Sequence, residues 1–468
     1  MTLKTVAWKL TSRMAVAASQ LPDPVYARLL SYFIQPFQDM IGGKSSPAPN
    51  ANADGAGTQD LPARFPPAVT ALPTSRPDKH ASVAPADRRP RVLVIDGFVP
   101  KPDKDSASND VYWFMRIMLD LGYEVTFVPA FATAHAGRYT DDLRRLGIVC
   151  PVAPELASAR EFVAMHGGTF VLVALYRVSV AKELFDAVRE FAPEAKIIFN
   201  TVDLHFLREQ RAAELNGSLR DFVDAKRREK IELHIIRSAD AAILLSGYEY
   251  DVIGRLVPDA HRVFLPIVRP IPGRLAPCDG RSGVLFVGGF SHAPNVDAVA
   301  FLCDAVWPLV RALLPTAKLF IVGADAPAGV TARHSPSEGV EVLGHVEDLT
   351  TLYGSARVAV APLRFGAGLK GKVIASLAVG LPCVVTSIAC EGMPRGGPDE
   401  MSVADSPRDF AQAVARIYLD EALWYRISDA GIAYARDNFS VETITGKIRD
   451  LLKALGLPFE QRASRGAH

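Results

Sequence analysis

The sequence predicts an α/β protein of two tandem domains, each built on a parallel sheet that is covered by helices on both faces. Three observations support this prediction. Short apolar segments alternate with amphipathic helical segments along most of the chain. The alternation is interrupted once, by Pro266, Pro270 and Pro272, and then begins again. With 468 residues, the chain is also long enough for two or three separate cores.

The composition is that of a folded protein without strong charge. Hydrophobic residues make up 49% of the chain and the formal net charge is +1, so a general nucleic-acid-binding protein is not expected. The five cysteines are scattered and form no CxxC pair, which argues against a disulfide framework or a zinc site and favours a reducing cytoplasm. No apolar run reaches the ~18 residues of a membrane-spanning helix.

The first 90 residues are predicted to lie outside the two domains. Residues 1–42 predict an N-terminal helical segment, because large apolar side chains between Tyr26 and Phe37 recur at helical spacing. This segment either packs on the protein's own surface or binds a membrane surface, and both interpretations stay open. Residues 43–90 are rich in Pro, Ala, Ser and Gly and have almost no large apolar residue, so they predict a disordered linker.

The first domain is predicted over residues 91–268. Its strands are expected at short apolar segments, which are typical of buried parallel sheets. Asn109 or Asp110 is expected to cap its first helix. The predicted strands lie at residues 92–96, 124–128, 148–149, 170–173, 196–199 and 241–245.

The second domain is predicted over residues 269–455 and is followed by a tail at 456–468. Two tandem parallel sheets leave a cleft between the carboxyl ends of their strands, where the ligands of open parallel sheets bind. The predicted strands of this domain lie at residues 284–287, 319–322, 340–343, 358–361 and 383–385.

The segment 358–382 holds the densest group of residues suited to ligand binding. Its sequence predicts a buried strand, then a loop with Gly366 and Gly368, then a helix that starts near Leu369. The glycines let the backbone come close to a ligand, and a helix start offers free N–H groups and the positive end of a dipole. We therefore expect an anion-binding site at this loop.

Two lysines strengthen this expectation. Lys370 and Lys372 lie in the predicted first turn of the helix, where a cation is electrostatically disfavoured. An anion between the lysines and the helix removes this conflict, and a diphosphate would serve. The alternative is a surface loop whose lysines extend into solvent. Arg364, a third cation beside the glycines, favours the diphosphate.

Around this loop the sequence resembles the group 1 glycosyltransferases of the GT-B fold. The similar motifs are Gly-x-x-Glu-Asp-Leu at 344–349, Pro-Leu-Arg-x-Gly-x-Gly-x-Lys at 362–370 and Ala-x-Gly-Leu-Pro at 378–382. The resemblance covers roughly residues 91–455. Together these motifs are specific, whereas a single pair of glycines would be weak.

The resemblance extends to three other segments. Gly288 and Gly289 look like the first glycine loop of the family's donor-binding domain. Residues 102–106 and 201–208 resemble stretches of bacterial surface-polysaccharide transferases. The loop with Asp103, Asp105 and Ser106 therefore corresponds to the acceptor side of the cleft, although short polar residues in a loop are also typical of an ordinary turn.

The resemblance implies two Rossmann-like domains that face each other across a cleft and a function in sugar transfer. The donor is a nucleotide-diphosphate sugar that serves as a co-substrate, so no cofactor is expected. The acceptor is a glycan or a lipid-linked molecule in bacterial surface polysaccharide synthesis, and the anomeric configuration is retained. The expected location is the cytoplasm, either free or peripheral on the inner membrane face through residues 1–42. No cluster with metal-ligand spacing is present, so no metal is expected.

One departure from the family concerns two glutamates, eight positions apart, that engage the donor's sugar and ribose. These positions are Ala367 and Ala375 here. Glu391 is the expected substitute for ribose binding. The departure supports a second hypothesis, a catalytically inactive, nucleotide-binding GT-B subunit of a polysaccharide assembly. A sugar-nucleotide epimerase ranks last, because this loop lacks acidic residues beside the sugar.

Asp203 and His205 are the predicted catalytic residues. They follow the predicted strand 196–199, so they are expected at the cleft, where a carboxylate and an imidazole could position an acceptor hydroxyl or donate to the sugar. The alternative is that they cap the next helix. Similarly, Ser246 and Glu249 resemble a family motif near the interdomain face, but the spacing equally predicts a capping box, which we favour.

Overall fold

The computed structural model describes residues 89–394 and 401–460. Its strands form two six-stranded parallel sheets with helices, one after the other along the chain, which confirms the predicted fold class. The predicted helical segment 1–42 and nearly all of the predicted linker 43–90 lie outside the described residues. In the described ranges, no helix combines the length and the apolar character that a membrane crossing requires.

The first sheet has the strand order β2-β1-β3-β4-β5-β6. Its strands are β1 (Arg91–Asp96), β2 (Glu124–Pro129), β3 (Leu172–Tyr176), β4 (Lys196–Asn200), β5 (Ala241–Leu244) and β6 (Arg262–Phe264). Its helices are α1 (Ser106–Asp120), α2 (Arg138–Arg145), α3 (Ala159–His166), α4 (Val178–Phe191), α5 (His205–Asn216), α6 (Leu219–Ser238) and α7 (Gly247–Leu256).

The second sheet has the order β12-β11-β10-β7-β8-β9. Its strands are β7 (Val284–Val287), β8 (Leu319–Val322), β9 (Val340–Gly344), β10 (Val358–Ala361), β11 (Cys383–Val385) and β12 (Ser402–Val403). The helices that follow β7 along the chain are α8 (Ala293–Phe301), α9 (Trp307–Leu313), α10 (Ala328–Thr331), α11 (Thr350–Ser355), α12 (Gly371–Ala378), α13 (Ser387–Cys390), α14 (Pro407–Leu419), α15 (Glu421–Phe439) and α16 (Val441–Ala454).

The central strands are apolar over nearly their whole length because helices cover both faces of each sheet. In β1, the four residues 92–95 have no exposed surface. Their side chains alternate between two cores: Val92 and Val94 pack on one face of the sheet, and Leu93 and Ile95 pack on the other. The strands therefore form rigid supports, and the polar side chains that could do chemistry lie in the loops that follow them.

Three local predictions differ from the structure. Residues 148–149 make only an isolated bridge to Thr126, with Val149 exposed, rather than a strand. Helix α1 begins earlier than predicted: Asp105 caps it by accepting from the Ser108 amide at 2.8 Å, so neither Asn109 nor Asp110 is the cap. The sequence pattern missed β6 and β12, which have three and two residues and only partial burial.

The carboxyl-terminal segment crosses back to the first sheet. The Lys447 ammonium lies 5.4 Å from the ring centroid of Phe264 in β6. The Tyr123 hydroxyl donates to the carbonyl of Pro458 at 2.6 Å, and the Glu460 amide donates to the carbonyl of Leu121 at 3.0 Å. The first sheet ends at Phe264 and the second begins at residue 284, while the boundaries predicted at 268/269 and 455/456 stay predictions.

Candidate functional site

A cavity of about 670 Å³ lies between the two sheets. In the first sheet the strand order reverses between β1 and β3, and in the second sheet it reverses between β7 and β10. Loops that follow these four strands line the cavity, including residues 102–107, 287–289 and 366–372. The cavity therefore lies at the carboxyl ends of the strands and at the switch points of both sheets, where open parallel sheets bind ligands.

The glycines of the loop 366–372 are needed for its shape and for its contact with the first domain. Gly366 has a φ of 147° and Gly368 a φ of 67°, conformations that side chains rarely adopt. A Cβ atom on Gly368 would lie 3.0 Å from the Cβ atom of Asp203. The close approach that the sequence predicted is thus made to the first domain. Helix α12 starts at Gly371, two residues later than predicted, with Lys370 at the N-cap position.

Both predicted lysines line the cavity, and each ammonium donates to uncharged oxygen atoms. The Lys370 ammonium donates to the carbonyls of Ala367, at 2.9 Å, and Gly368. The Lys372 ammonium donates to the side-chain oxygen of Asn295 and lies 4.5 Å from the ring centroid of Phe286. Burial lowers the pKa of both lysines, and burial together with the charge of Lys370 lowers the pKa of Lys372 to about 7.

The position of both lysines at the glycine-led start of α12 favours an anion-binding site, and their lowered pKa values agree with it. A buried ammonium without an ionised partner in contact is unfavourable, and an anion in the cavity would favour the charged form of both lysines. Gly288 lies beside this group, since a Cβ atom there would come within 2.9 Å of the Lys372 ammonium. Gly288 and the adjacent Gly289 line the cavity as predicted residues of the site.

Asp203 and His205 also line the cavity, and Asp203 packs against Gly368 of the glycine loop. The Nε2 atom of His205 lies 3.2 Å from one carboxylate oxygen of Asp203, and Arg208 pairs with the other oxygen. Burial alone would raise the pKa of Asp203, but Arg208 and His205 hold it below its usual value. Asp203 is therefore ionised at neutral pH.

His205 is neutral at the same pH. Burial lowers the pKa of its imidazole to about 4, even though the Asp203 carboxylate acts in the opposite direction. Because Nε2 faces an ionised carboxylate, this nitrogen is assigned the proton, and Nδ1 keeps its lone pair. The Nδ1 atom of His205 can therefore accept a hydrogen bond from a bound hydroxyl, but the imidazole is not protonated near pH 7 and cannot act as a general acid.

The capping interpretation of Asp203 is wrong. The first amides of α5, those of His205 and Phe206, donate to the buried carboxylate of Glu232 at 3.4 and 3.2 Å. The Leu204 amide donates to Glu249 at 2.8 Å. Since glutamates from other helices satisfy this helix start, the Asp203 carboxylate stays directed to Arg208 and His205.

Several cavity residues were missed by the sequence reasoning. His292, from the loop after β7, lines the cavity and feels the charge of Asp203. Arg177 and Val202 also line the cavity, and their backbones have positive φ values of 72° and 64°. Among the described residues, Asp325 is the only other residue besides glycine with a positive φ. Strained backbone clusters at functional sites. No local sequence signal marks these residues, because loops from separate strands bring them together.

Arg364 was predicted to bind the diphosphate, and the structure places it elsewhere. Its guanidinium pairs with Asp297 of α8, with Nε 2.9 Å from a carboxylate oxygen, and packs 5.4 Å from the ring centroid of Phe301. It does not line the cavity. The carboxylate on the neighbouring helix holds this cation outside the site, which the spacing of the loop could not reveal.

Glu391 was the expected ribose-binding residue, and its carboxylate is already engaged. The two terminal guanidinium nitrogens of Arg211, from the first domain, donate to it at 2.6 and 2.9 Å. Arg211 also donates to the carbonyl of Gly366 at 2.7 Å. Glu391 does not line the cavity, whereas Ala367 and Ala375 do. The two family glutamate positions thus present methyl groups to the cavity, and Glu391 helps to join the domains instead.

The Arg211–Glu391 pair acts as a clamp between the two domains, and we expect it to stabilise the fold. Replacing Arg211 with Ala leaves Glu391, whose side chain is 20% exposed, without its partner. We expect unfolding to become easier by about 2 kcal/mol, since breaking a largely buried pair strands one charge. The midpoint of urea unfolding measures this. Arg145→Ala is the control, because that exposed pair with Asp142 should contribute under ~1 kcal/mol. Equal midpoints for the two variants would contradict the assignment of a clamp.

Residues 89–394 and 401–460 contain no group of three His, Cys, Asp or Glu side chains that could hold a metal ion. The cavity's positive groups include Lys370 and Lys372 and the arginines Arg177, Arg208 and Arg269, and cationic side chains bind phosphate without a metal. The expectations that the protein uses no metal and no cofactor stay predictions.

Comparison with known proteins agrees with the resemblance that the sequence indicated. Residues 281–420 match the model of the family described as Glycosyl transferases group 1. This segment runs from just before β7 to the start of α15, so it contains both glycine loops and both lysines. No curated protein matches the sequence.

Solved structures resemble nearly the whole described chain. Sucrose-phosphate synthase from Thermosynechococcus elongatus has a TM-score of 0.60 at 17% identity, with 79% of this chain and 99% of that chain covered. Anabaena HepE, solved with UDP and glucose, has a TM-score of 0.57 at 12% identity, with 77% and 99% covered. A Rickettsia africae glycosyltransferase has a TM-score of 0.56 at 11% identity, with 79% and 99% covered. These structures confirm the GT-B fold, and the family model supports the group 1 resemblance over residues 281–420.

Proposed function

We propose that this protein, which has the GT-B fold and resembles the group 1 glycosyltransferases, transfers a sugar from a nucleotide-diphosphate donor to an acceptor. One observation carries the proposal: two lysines at a glycine-led helix start line the same cavity between the sheets as a carboxylate–imidazole pair. The first group suits a diphosphate and the second suits a sugar hydroxyl. The relative HepE was solved with UDP and glucose, which supports this class of donor.

In this proposal the second domain activates the leaving group. The donor pyrophosphate lies at the start of α12, where Lys370 and Lys372 stabilise the negative charge that develops as the sugar leaves. Neutral His205, oriented by Asp203, holds an acceptor or sugar hydroxyl by a hydrogen bond. Closure of the two domains over the bound donor excludes water and so limits hydrolysis of the donor. Neither a metal nor a cofactor takes part.

We also propose the acceptor class, the pathway and the stereochemistry of the transfer. The acceptor is a glycan or a lipid-linked molecule, the pathway is bacterial surface polysaccharide synthesis, and the sugar keeps its anomeric configuration. The likeness of residues 102–106 and 201–208 to bacterial surface-polysaccharide transferases supports the acceptor class. We propose a cytoplasmic location, with residues 1–42 contacting the inner membrane face.

A second candidate is an inactive nucleotide-binding subunit of a polysaccharide assembly. Ala367 and Ala375 favour it, and so does the engagement of Glu391 by Arg211. Incubating the full chain with UDP-, GDP-, ADP- and dTDP-sugars, and measuring nucleoside diphosphate release and thermal shift, separates the two. We expect binding and turnover of one donor. Binding without turnover on any donor would favour the inactive subunit, and absence of both would refute the diphosphate site.

Donor binding should also depend on pH. The pKa of Lys372 is lowered to about 7, chiefly by burial, so the free protein holds this lysine neutral above that pH. A bound diphosphate raises the pKa again, so binding above pH 7 takes up a proton and weakens roughly tenfold per pH unit. Neighbouring Cys383 does not interfere, because its pKa is raised to about 12, chiefly by burial.

The measurement is isothermal titration with a UDP-sugar, whose phosphates keep their charge across this range, between pH 6 and 9. Repeating it in buffers of different ionisation enthalpy counts the protons taken up. Lys372→Met should bind weakly with a flat pH dependence. A flat dependence in the unchanged protein would show that Lys372 does not meet the phosphates.

A further inference from the structure

Glu249 makes an unusual contact between the domains. It is the third residue of α7 in the first domain and is 1% exposed. One carboxylate oxygen, Oε1, accepts from the Leu204 amide at 2.8 Å and from the Gly368 amide at 2.9 Å. The first amide lies between Asp203 and His205, and the second lies in the middle of the glycine loop. A single oxygen atom therefore joins the two halves of the candidate site.

The predicted capping box explains only part of this residue. Ser246 does accept from the Glu249 amide, as a helix cap does. The Glu249 carboxylate, however, does not return to the start of its own helix but crosses to the other domain. Its second oxygen, Oε2, is buried without a hydrogen-bond partner. Burying a carboxylate oxygen without a hydrogen-bond partner costs free energy, and helix capping alone does not explain why Glu249 is buried in this way.

Three other contacts fix the same loop. Lys370 holds the Gly368 carbonyl, Arg211 holds the Gly366 carbonyl, and Gly368 packs against Asp203. The glycines themselves resist no backbone rotation, so these contacts determine the loop's conformation. Among these contacts, the bond to Glu249 is the one that also fixes the backbone at Leu204, beside Asp203 and His205.

We propose that Glu249 is a positioning residue that aligns the phosphate loop with the Asp203–His205 pair when the domains are closed. This rests on the proposed function for its consequence in turnover, but the contact itself is independent of it. The carboxylate acts as a hydrogen-bond acceptor of fixed geometry. It does not touch the reacting atoms, since it lies outside the cavity lining.

The geometry sets distinct expectations for three variants. Glu249→Ala removes the acceptor of the Leu204 and Gly368 amides. We expect kcat to fall roughly 10- to 100-fold, because misplacing reacting groups by about 1 Å has this effect on rate. The donor KM should change less than ~3-fold. Glu249→Gln keeps an oxygen acceptor and should restore kcat to within ~5-fold of the unchanged protein. Ser246→Ala removes a cap of the same helix without touching Gly368, so its turnover should change less than ~2-fold.

The test combines hydrogen–deuterium exchange with donor kinetics on the full chain. We expect faster exchange in residues 366–370 of Glu249→Ala only, together with its loss of kcat. Unchanged exchange in Glu249→Ala, equal losses in Ser246→Ala, or no rescue by Glu249→Gln would each overturn the proposal. If the unchanged protein neither binds UDP, GDP or ADP nor turns over a donor, the proposed function fails, and exchange in residues 366–370 alone then decides whether Glu249 holds the loop.

Discussion

Replacing Lys370 and Lys372 together with Ala is expected to weaken nucleoside diphosphate binding by roughly 100- to 10,000-fold. The two ammonium groups line the cavity at the start of α12, and each charged hydrogen bond to a phosphate is worth ~1.5–3 kcal/mol. Folding should be retained, because removing two buried ammonium groups relieves a desolvation cost. Titration calorimetry with UDP and GDP measures the loss, and circular dichroism checks the fold.

Arg364→Ala is the matched control for this double variant. Arg364 belongs to the same loop but pairs with Asp297 outside the cavity, so its removal should change affinity less than ~3-fold. An unchanged affinity in the lysine double variant would remove the phosphate site. A large loss in Arg364→Ala would instead show that this side chain leaves Asp297 when the ligand binds.

Replacing His205 with Ala is expected to lower kcat by roughly 100-fold and to leave nucleoside diphosphate affinity within ~3-fold. The imidazole lies on the first domain, pairs with Asp203 rather than with the lysines, and contributes one oriented hydrogen bond to a reacting hydroxyl. Single-turnover measurements with the active donor check kcat, and calorimetry checks affinity. His135→Ala is the control, since His135 is also paired with an aspartate but lies outside the cavity.

The pH profile separates two roles for this histidine. Burial lowers the pKa of His205 to about 4, so its ionisation should cause no change in kcat between pH 6 and 9. A fall in kcat centred near pH 6.5 that disappears in His205→Ala would show an imidazole that exchanges protons with solvent. That result would contradict the assignment of a neutral, hydrogen-bonding His205.

The sequence predicted the features that depend on local pattern. β1, β7 and β10 are apolar over four or more consecutive residues, and this alone indicates buried parallel strands. Gly366 and Gly368 indicated a loop between a strand and a helix, and both glycines lie in such a loop with positive φ values.

The partners of charged side chains were not predictable in this way. Arg364, Glu391 and Glu249 each lie close in sequence to a motif, yet each is bound by a group from another element. Asp297 comes within reach of Arg364 only after the second domain has folded, and Arg211 and the Gly368 amide meet their partners only after the two domains have met. Pairing of this kind depends on tertiary structure, and neither residue spacing nor helix periodicity contains it.

The return of the carboxyl-terminal segment to the first sheet has a consequence for how the protein is made. The hydroxyl of Tyr123 finds its partner, the carbonyl of Pro458, 335 positions later in the chain. During synthesis from the amino end, the surface of the first domain around Leu121 and Tyr123 therefore stays incompletely covered until the whole second domain has been synthesised. A fragment that ends at residue 268 would keep this uncovered surface permanently. The first domain is therefore synthesised before the second domain but is completed after it.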